Sequence, residues 1–368
     1  MSCFRSSNTG RLKTQFCFVV AKALVLHTII SGLLTLFLFA ASLVFPLWLA
    51  EATPPEIYSE ARPMLHTFVE IKAFGDSARE AVSAAFKEIE RVNRLLNNYD
   101  PESEVSEINS AAGQKAVSVS PETLEAIAGA KYYGDLSGGA LDITIGPLLK
   151  VWGFAQEAPG IQETPSASLL DKAKLLVNYR LIHLDAIKGV ARLPQKGMWI
   201  DTGSFTKGYV VDRAARFLKS QGINHALITA GGTIMAVGKK VGDTPWRVGI
   251  RHPREEGKLL GSISLEDQAV STSGDYERFY RYKDRRICHI IDPRSGQPVE
   301  TVRGISVIAP TAIASDALST SLFVLGVKEG LALIKNLPET EAMIVDQEGR
   351  AHYSPGWPAS TERRQPDA

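Results

Sequence analysis

The stretch Asp201-Thr-Gly-Ser-Phe-Thr-Lys-Gly-Tyr-Val-Val-Asp212 sets two acids, a lysine and small flexible residues where strand-like sequence gives way to helix-like sequence. The run from Gly197 to Ile200 ahead of it is short and apolar, and behind it Val210, Val211, Ala214, Ala215 and Leu218 recur at helical spacing. That spacing predicts a helix from about Lys207, whose unpaired N-terminal amides point at whatever the loop holds. Anion binding suits such a junction. An ordinary capped strand-to-helix turn suits the same residues, so the choice falls to the rest of the chain.

Outward from this junction, the folded region runs from about Met64 to about Tyr353. Helices are predicted at Ala78 to Leu96, with Ala81, Ala85, Ile89, Val92 and Leu96 on one stripe, and at Pro121 to Leu136, opened by Ser120 as N-cap. Ser315 to Leu325 and Lys328 to Asn336 also read as helical. Strands are predicted at His66 to Phe74, Leu181 to Leu184, Val190 to Leu193, His225 to Ile228, Ile234 to Val237, Trp246 to Ile250, Ser262 to Leu265, Ile287 to Ile291 and Gly304 to Ile308. The irregular interleaving predicts an α+β fold with mixed or antiparallel sheets and packed helices, not a doubly wound sheet.

The whole chain has 368 residues, 45% hydrophobic and 22% charged, with a formal net charge of +1. That balance implies no polyanion-binding surface, so nucleic acid is not expected as a partner. Residues 1–22 are basic through Arg5, Arg11, Lys13 and Lys22, and residues 23–50 carry no charge. About 28 residues at 1.5 Å rise make roughly 40 Å of helix, enough to cross a bilayer. The positive-inside rule then keeps the N-terminus cytoplasmic and exports the chain beyond residue 50. Ala50-Glu51-Ala52 fits a signal-peptide cleavage pattern, but the apolar run exceeds a usual signal core and favours a retained signal-anchor. Residues 51–63 read as a polar, Pro-containing linker, and residues 354–368 as a disordered tail. Of the cysteines Cys3, Cys17 and Cys288, a single one falls in the exported part, which excludes a disulfide framework and a thiolate zinc site there.

The signatures of a P-loop, a dinucleotide-binding Rossmann turn, a zincin helix and a hydrolase elbow are absent. Four further segments stand out. Asn97-Asn-Tyr-Asp-Pro-Glu-Ser-Glu104 offers Tyr99 as an aromatic face, or is simply a loop capped by Ser103. Ser137-Gly-Gly-Ala-Leu-Asp-Ile-Thr-Ile-Gly-Pro147, with Val151-Trp-Gly-Phe154, lets backbone approach a planar ligand, or is a structural turn. In Val270-Ser-Thr-Ser-Gly-Asp-Tyr276, the hydroxyls of Ser271, Thr272 and Ser273 could meet phosphate oxygens, and in the later Cys288-His-Ile-Ile-Asp-Pro-Arg-Ser-Gly296, His289 could act as a base. In Ala314-Ser-Asp-Ala-Leu-Ser-Thr320, Asp316 and Thr320 share a helix face and suit a hard cation such as Mg²⁺, or form an ordinary cap.

Together these five motifs resemble the FAD:protein FMN transferase family, formerly described as thiamine-biosynthesis lipoproteins, from Met64 to about Asp346. The resemblance implies that Met64, Tyr99, Ala140, Leu141, Asp142, Asp201, Lys207 and Ile291 contact FAD, and that Ser204, Asp316 and Thr320 hold Mg²⁺, Ser204 through its backbone. Leu141 stands where the family more often has an aromatic, and Thr206 where Ala is common. The implied reaction moves FMN from FAD to a Thr or Ser hydroxyl of an exported acceptor flavoprotein and releases AMP. His289 is the candidate base and Lys207 a charge stabiliser. A non-catalytic flavin-binding module is the alternative, against which Asp316, Thr320 and His289 count. A serine acylase using Ser204 and Lys207 lacks its companion motifs.

Overall fold

The computed structural model describes residues 22, 24–36, 56–155 and 164–358. The chain divides into two units, Met1–Pro54 and Pro55–Ala368. In the first, α1 (Leu24–Leu36) is an apolar helix with exposed residues. It covers part of the run 23–50; the rest of that run, residues 1–21 and the Ala50-Glu51-Ala52 pattern lie outside the described residues.

The second unit is built on a sheet of eight strands whose spatial order follows the chain: β1 (Ile57–Met64), β2 (Thr67–Phe74), β3 (Ala226–Ala230), β4 (Thr233–Val237), β5 (Ala269–Gly274), β6 (Val302–Ala309), β7 (Glu341–Asp346) and β8 (Ala351–Tyr353). Every neighbouring pair is antiparallel. The fold is therefore α+β in its antiparallel form, a meander with helices inserted in its connections. Between β2 and β3 lie α2 (Ala78–Leu96), α3 (Glu104–Ser110), α4 (Pro121–Leu136), α5 (Gly146–Val151), α6 (Ala167–Lys174) and α7 (Thr206–Ser220). Between β6 and β7 lies α8 (Ala312–Ile334).

The stripe Ala81, Ala85, Ile89, Val92 and Leu96 of α2 is buried, in one core with Val69 and Ile71 of β2 and Val210, Val211, Ala214 and Leu218 of α7. Each fully buried aliphatic side chain contributes about 1.5–3 kcal/mol, offset largely by ordering entropy. α8 is long and apolar enough to span a membrane, yet it buries Ser315, Asp316, Ser319 and Ser321 within the body and serves as a core helix. Gly326, with φ +73°, breaks it where the sequence separates two helical runs.

α7 and α8 meet at Gly208, where a Cβ would lie 2.4 Å from the Ala312 carbonyl oxygen and 2.6 Å from Ile313 Cα. Only glycine lets the two backbones approach this closely.

Two readings are corrected. Residues 57–63, expected within a linker, form most of β1, because its half-buried face is built from Tyr58, Glu60 and Arg62 instead of aliphatics. Arg79 lies over the Tyr58 ring and Arg62 over the Phe86 ring, so long polar side chains do the covering. Residues 354–357, expected in the disordered tail, are packed: Ser354 and Trp357 are buried, and Trp357 joins the core around Trp246. Residues 359–368 lie outside the described residues. Ser271 to Ser273, the candidate phosphate donors, belong to β5, an inner strand. Their hydroxyls pair with Ser315, Ser306 and Ser319 at 2.8 Å each, which bolts the strand to α8 and β6.

Candidate active site

A cleft of about 690 Å³ gathers the β1–β2 turn, the α2–α3 loop, the start of α7, the end of β5 and a face of α8. That volume lies in the range of small-molecule sites. Tyr99, Ala140, Leu141, Asp142, Asp201, Ser204, Lys207, His289, Ile291, Asp316 and Thr320 all line it. Met64 does not. It ends β1 and packs against the main core, while the next two residues, Leu65 and His66, reach the cleft. The left-handed turn at Leu65 and His66, directly after Met64, is the part of this hairpin that borders the cleft.

The floor is formed by α7 and α8. No side chain caps α7, whose first turn carries Lys207 and Gly208. Lys207 Nζ donates to the Gly203 carbonyl at 2.9 Å and lies 3.7 Å from Asp316 Oδ1. The Gly208 amide donates to Asp316 Oδ2 at 2.9 Å. In the opposite sense, the amides of Ala312 and Ile313, which open α8, donate to the Asp212 carboxylate on α7 at 2.7 and 2.9 Å. The helices thus exchange carboxylates, each satisfying amides at the other's N-terminus. Burial raises the Asp316 carboxyl above its ordinary range and Lys207 opposes that; burial raises Asp212 to about 6 against the pull of its two amides. Thr320 lies one turn beyond Asp316, and the Thr206 hydroxyl is buried without a partner.

The wall behind Tyr99 is a hydrogen-bonded knot. Asn98 Nδ2 donates to Asp201 Oδ2 at 3.2 Å, and Asn98 Oδ1 accepts from the Thr202 amide and hydroxyl at 3.1 and 2.8 Å. The Gly203 amide donates to Asp201 Oδ1 at 3.0 Å and the Tyr99 hydroxyl donates to Oδ2 at 3.4 Å. Burial raises the Asp201 carboxyl. Asp142 accepts from the Thr144 amide and hydroxyl and the Tyr179 amide, at 2.8, 2.6 and 3.0 Å, so its carboxylate shapes its own loop.

His289 stands across the cleft. Its Nδ1 lies 3.1 Å from the Arg278 carbonyl oxygen, which can only accept, so Nδ1 carries the hydrogen and Nε2 keeps the lone pair. Burial, then the charge of Arg278, pushes the imidazole down to about 4, with Lys207 adding a smaller effect. The ring is therefore neutral at neutral pH. Phe154 sits behind it with centroids 6.4 Å apart, and Arg278 donates to the Phe154 carbonyl at 2.8 Å. The Trp-Gly-Phe segment thus supports the histidine wall.

Thr272 and Ser273, read as candidate donors, and Asn98 of the first motif line the cleft as well, as do Leu65, His66, Glu277 and Arg278, which none of the motifs contains. Glu277 and Arg278 directly follow Ser-Gly-Asp-Tyr, a position that could have flagged them. Lys207 directs its ammonium to Gly203 and Asp316 instead of Ser204, which removes the basis of an acylase pair.

A buried carboxylate beside a lysine and a neutral histidine thus share one cleft of small-molecule size. The family model of the ApbE family matches residues 65–344, and the chain belongs to that family. It is 30% identical over 318 residues to the FAD:protein FMN transferase of Treponema pallidum, covering 81% of this chain and 87% of the relative. With a Klebsiella pneumoniae FAD:protein FMN transferase it shares 31% over 291 residues, 78% of this chain and 89% of the relative. The ApbE protein of Thermotoga maritima superposes with a TM-score of 0.76 at 30% identity, covering 82% of this chain and 97% of that one. The flavin transferase ApbE of Vibrio cholerae gives 0.72 at 27%, covering 82% and 98%.

Proposed function

We propose that this flavin transferase moves FMN from FAD to a serine or threonine hydroxyl of an exported acceptor flavoprotein, releasing AMP, with Mg²⁺ held at Asp316. One observation carries the reading: Asp316 and Lys207 on the floor and a neutral His289 on the wall converge in one cleft.

The donor set suits Mg²⁺. That ion needs only one or two protein carboxylates, keeps waters and takes substrate phosphate oxygens. Asp316, Thr320 and the Ser204 backbone offer oxygens of this kind, and no group of three or more His, Cys, Asp or Glu forms a complete protein cage among the described residues. When bound, Mg²⁺ neutralises charge on the phosphate oxygens.

Lys207 adds a fixed positive charge beside that carboxylate. The acceptor oxygen attacks the FMN-side phosphorus, its proton passes to His289 Nε2, and the bond from that phosphorus to the bridging oxygen breaks, with AMP leaving. In the free protein, the imidazole at about 4 is available but weakly basic. Negative charge on the bound diphosphate counters Arg278 and Lys207 and raises its basicity as substrate arrives.

The body is proposed to lie outside the cytoplasmic membrane, held by the uncharged run 23–50. Protease added to spheroplasts should then digest it, and full protection contradicts that topology. Co-expression with candidate exported flavoprotein subunits, followed by in-gel flavin fluorescence, tests the activity. A fluorescent acceptor band with AMP release is expected; FAD binding without transfer to any acceptor favours a non-catalytic flavin-binding module.

A further inference from the structure

We propose that His66 is a ligand-contacting residue, which with Tyr99 forms an aromatic wall at the cleft that takes a fused heteroaromatic ring of the dinucleotide. The proposal rests on the flavin-transferase reading and adds a residue that none of the sequence motifs contains.

The first support is backbone conformation. β1 and β2 are joined by a two-residue turn, with Met64 opposite Thr67, and both central residues are left-handed: Leu65 has φ +56° and His66 +55°. Such turns favour Asn-Gly, because a Cβ opposes positive φ at both positions. A leucine and a histidine hold the chain in a conformation that neither prefers. Among the described residues, Asp243, Asp267, Lys283 and Glu339 share this feature singly, and none of them lines the cleft. The consecutive pair does. Strain kept at a cleft points to a function that glycine would not serve.

The second support is the ring contact. The His66 imidazole meets the Tyr99 ring edge to face, with centroids 5.6 Å apart and planes at 77°. The Tyr99 hydroxyl is tied to Asp201, so the tyrosine is oriented from both ends while remaining 36% exposed along the cleft. The pair lines the cleft with two aromatic rings set nearly at right angles. Adenine and isoalloxazine rings both match these rings, being planar and aromatic.

His66→Gly and His66→Asn, each made in the full chain, test the proposal. Gly removes the Cβ that opposes positive φ, and Asn tolerates that conformation without supplying an aromatic ring. Titration with FAD, FMN and AMP is paired with thermal unfolding. The expected result is a melting temperature equal to or above that of the unaltered protein, together with FAD affinity lowered roughly threefold to tenfold in both variants. A matching loss for FMN assigns the wall to isoalloxazine, and one for AMP assigns it to adenine. Unchanged affinity for all three ligands overturns the proposal. So does an affinity loss accompanied by a lower melting temperature in both variants, which marks a merely structural turn. Failure of the unaltered chain to bind FAD overturns the flavin-transferase reading itself, and is seen before any variant is compared.

Discussion

At the floor of the cleft, α7 and α8 exchange the carboxylates of Asp212 and Asp316 and touch through Gly208. At its mouth, β1 and β2 turn through Leu65 and His66, both in a strained conformation and less deeply buried. The floor places charges, and charge stabilisation depends on fixed distances in a medium that screens little. The mouth places rings, whose dispersion contacts are worth only about 0.1–0.2 kcal/mol per atom pair. Substitutions of the floor's charged groups should therefore act chiefly on transfer, and at Gly208 on helix packing, whereas substitutions at the mouth should act on ligand binding without loss of stability.

The largest effect is expected for Asp316→Ala, with transfer reduced by about 10³-fold and far-UV circular dichroism unchanged. Normal turnover at limiting Mg²⁺ would break the assignment of the floor. His289→Asn should retain FAD affinity and lose about 10²-fold in transfer, the scale of a general base. In the unaltered enzyme, the acid limb of kcat/KM should lie below the ordinary imidazole range, toward pH 4, because desolvation of the half-buried ring and the charge of Arg278 lower it; a limb at its ordinary value would mean that neither acts on the ring in solution. Gly208→Ala drives a Cβ into the Ala312 carbonyl and should cost about 1–3 kcal/mol in denaturant unfolding. An unchanged midpoint would show that the crossing is looser than the structure indicates.

The smallest effect concerns pH. Because His289 is lowered to about 4, the unfolded chain binds more protons between there and the ordinary imidazole range, so this residue makes stability rise with pH across that window. Asp212, raised to about 6, acts in the opposite sense below that value, since there the folded state binds more protons. His289→Asn should accordingly lose less stability than the unaltered protein when acidified from pH 7 to pH 4.5. An identical loss, measured by melting temperature, would remove His289 from the balance.

The sequence was most legible where one local signal sufficed. The limits of α2 and α4 follow from apolar periodicity and, at α4, from Ser120 and Pro121; α7 begins one residue before Lys207. β1 was missed because its covering side chains are polar and long, and β5 because its serines and threonine read as ligand donors; Thr272 and Ser273 line the cleft and also pair with Ser306 and Ser319. Of the candidate flavin-contacting, metal-holding and catalytic residues, all but Met64 converged on the cleft, since each motif lies at a junction between elements. His66 was not legible: residue type gives no warning that a histidine adopts a conformation favoured by glycine, and its partner Tyr99 lies 33 positions along the chain. The clasp between Asp212 and α8 was equally hidden, because it spans about a hundred residues and exists only once the helices cross.

The central claim is that Asp316 holds the cation through which the floor engages the diphosphate. Calorimetric titration of FAD into the unaltered protein and into Asp316→Ala, each with and without Mg²⁺, tests it most directly. Mg²⁺ should strengthen FAD binding to the unaltered protein and leave the variant's affinity unchanged. An equal strengthening of both by Mg²⁺ would contradict the account.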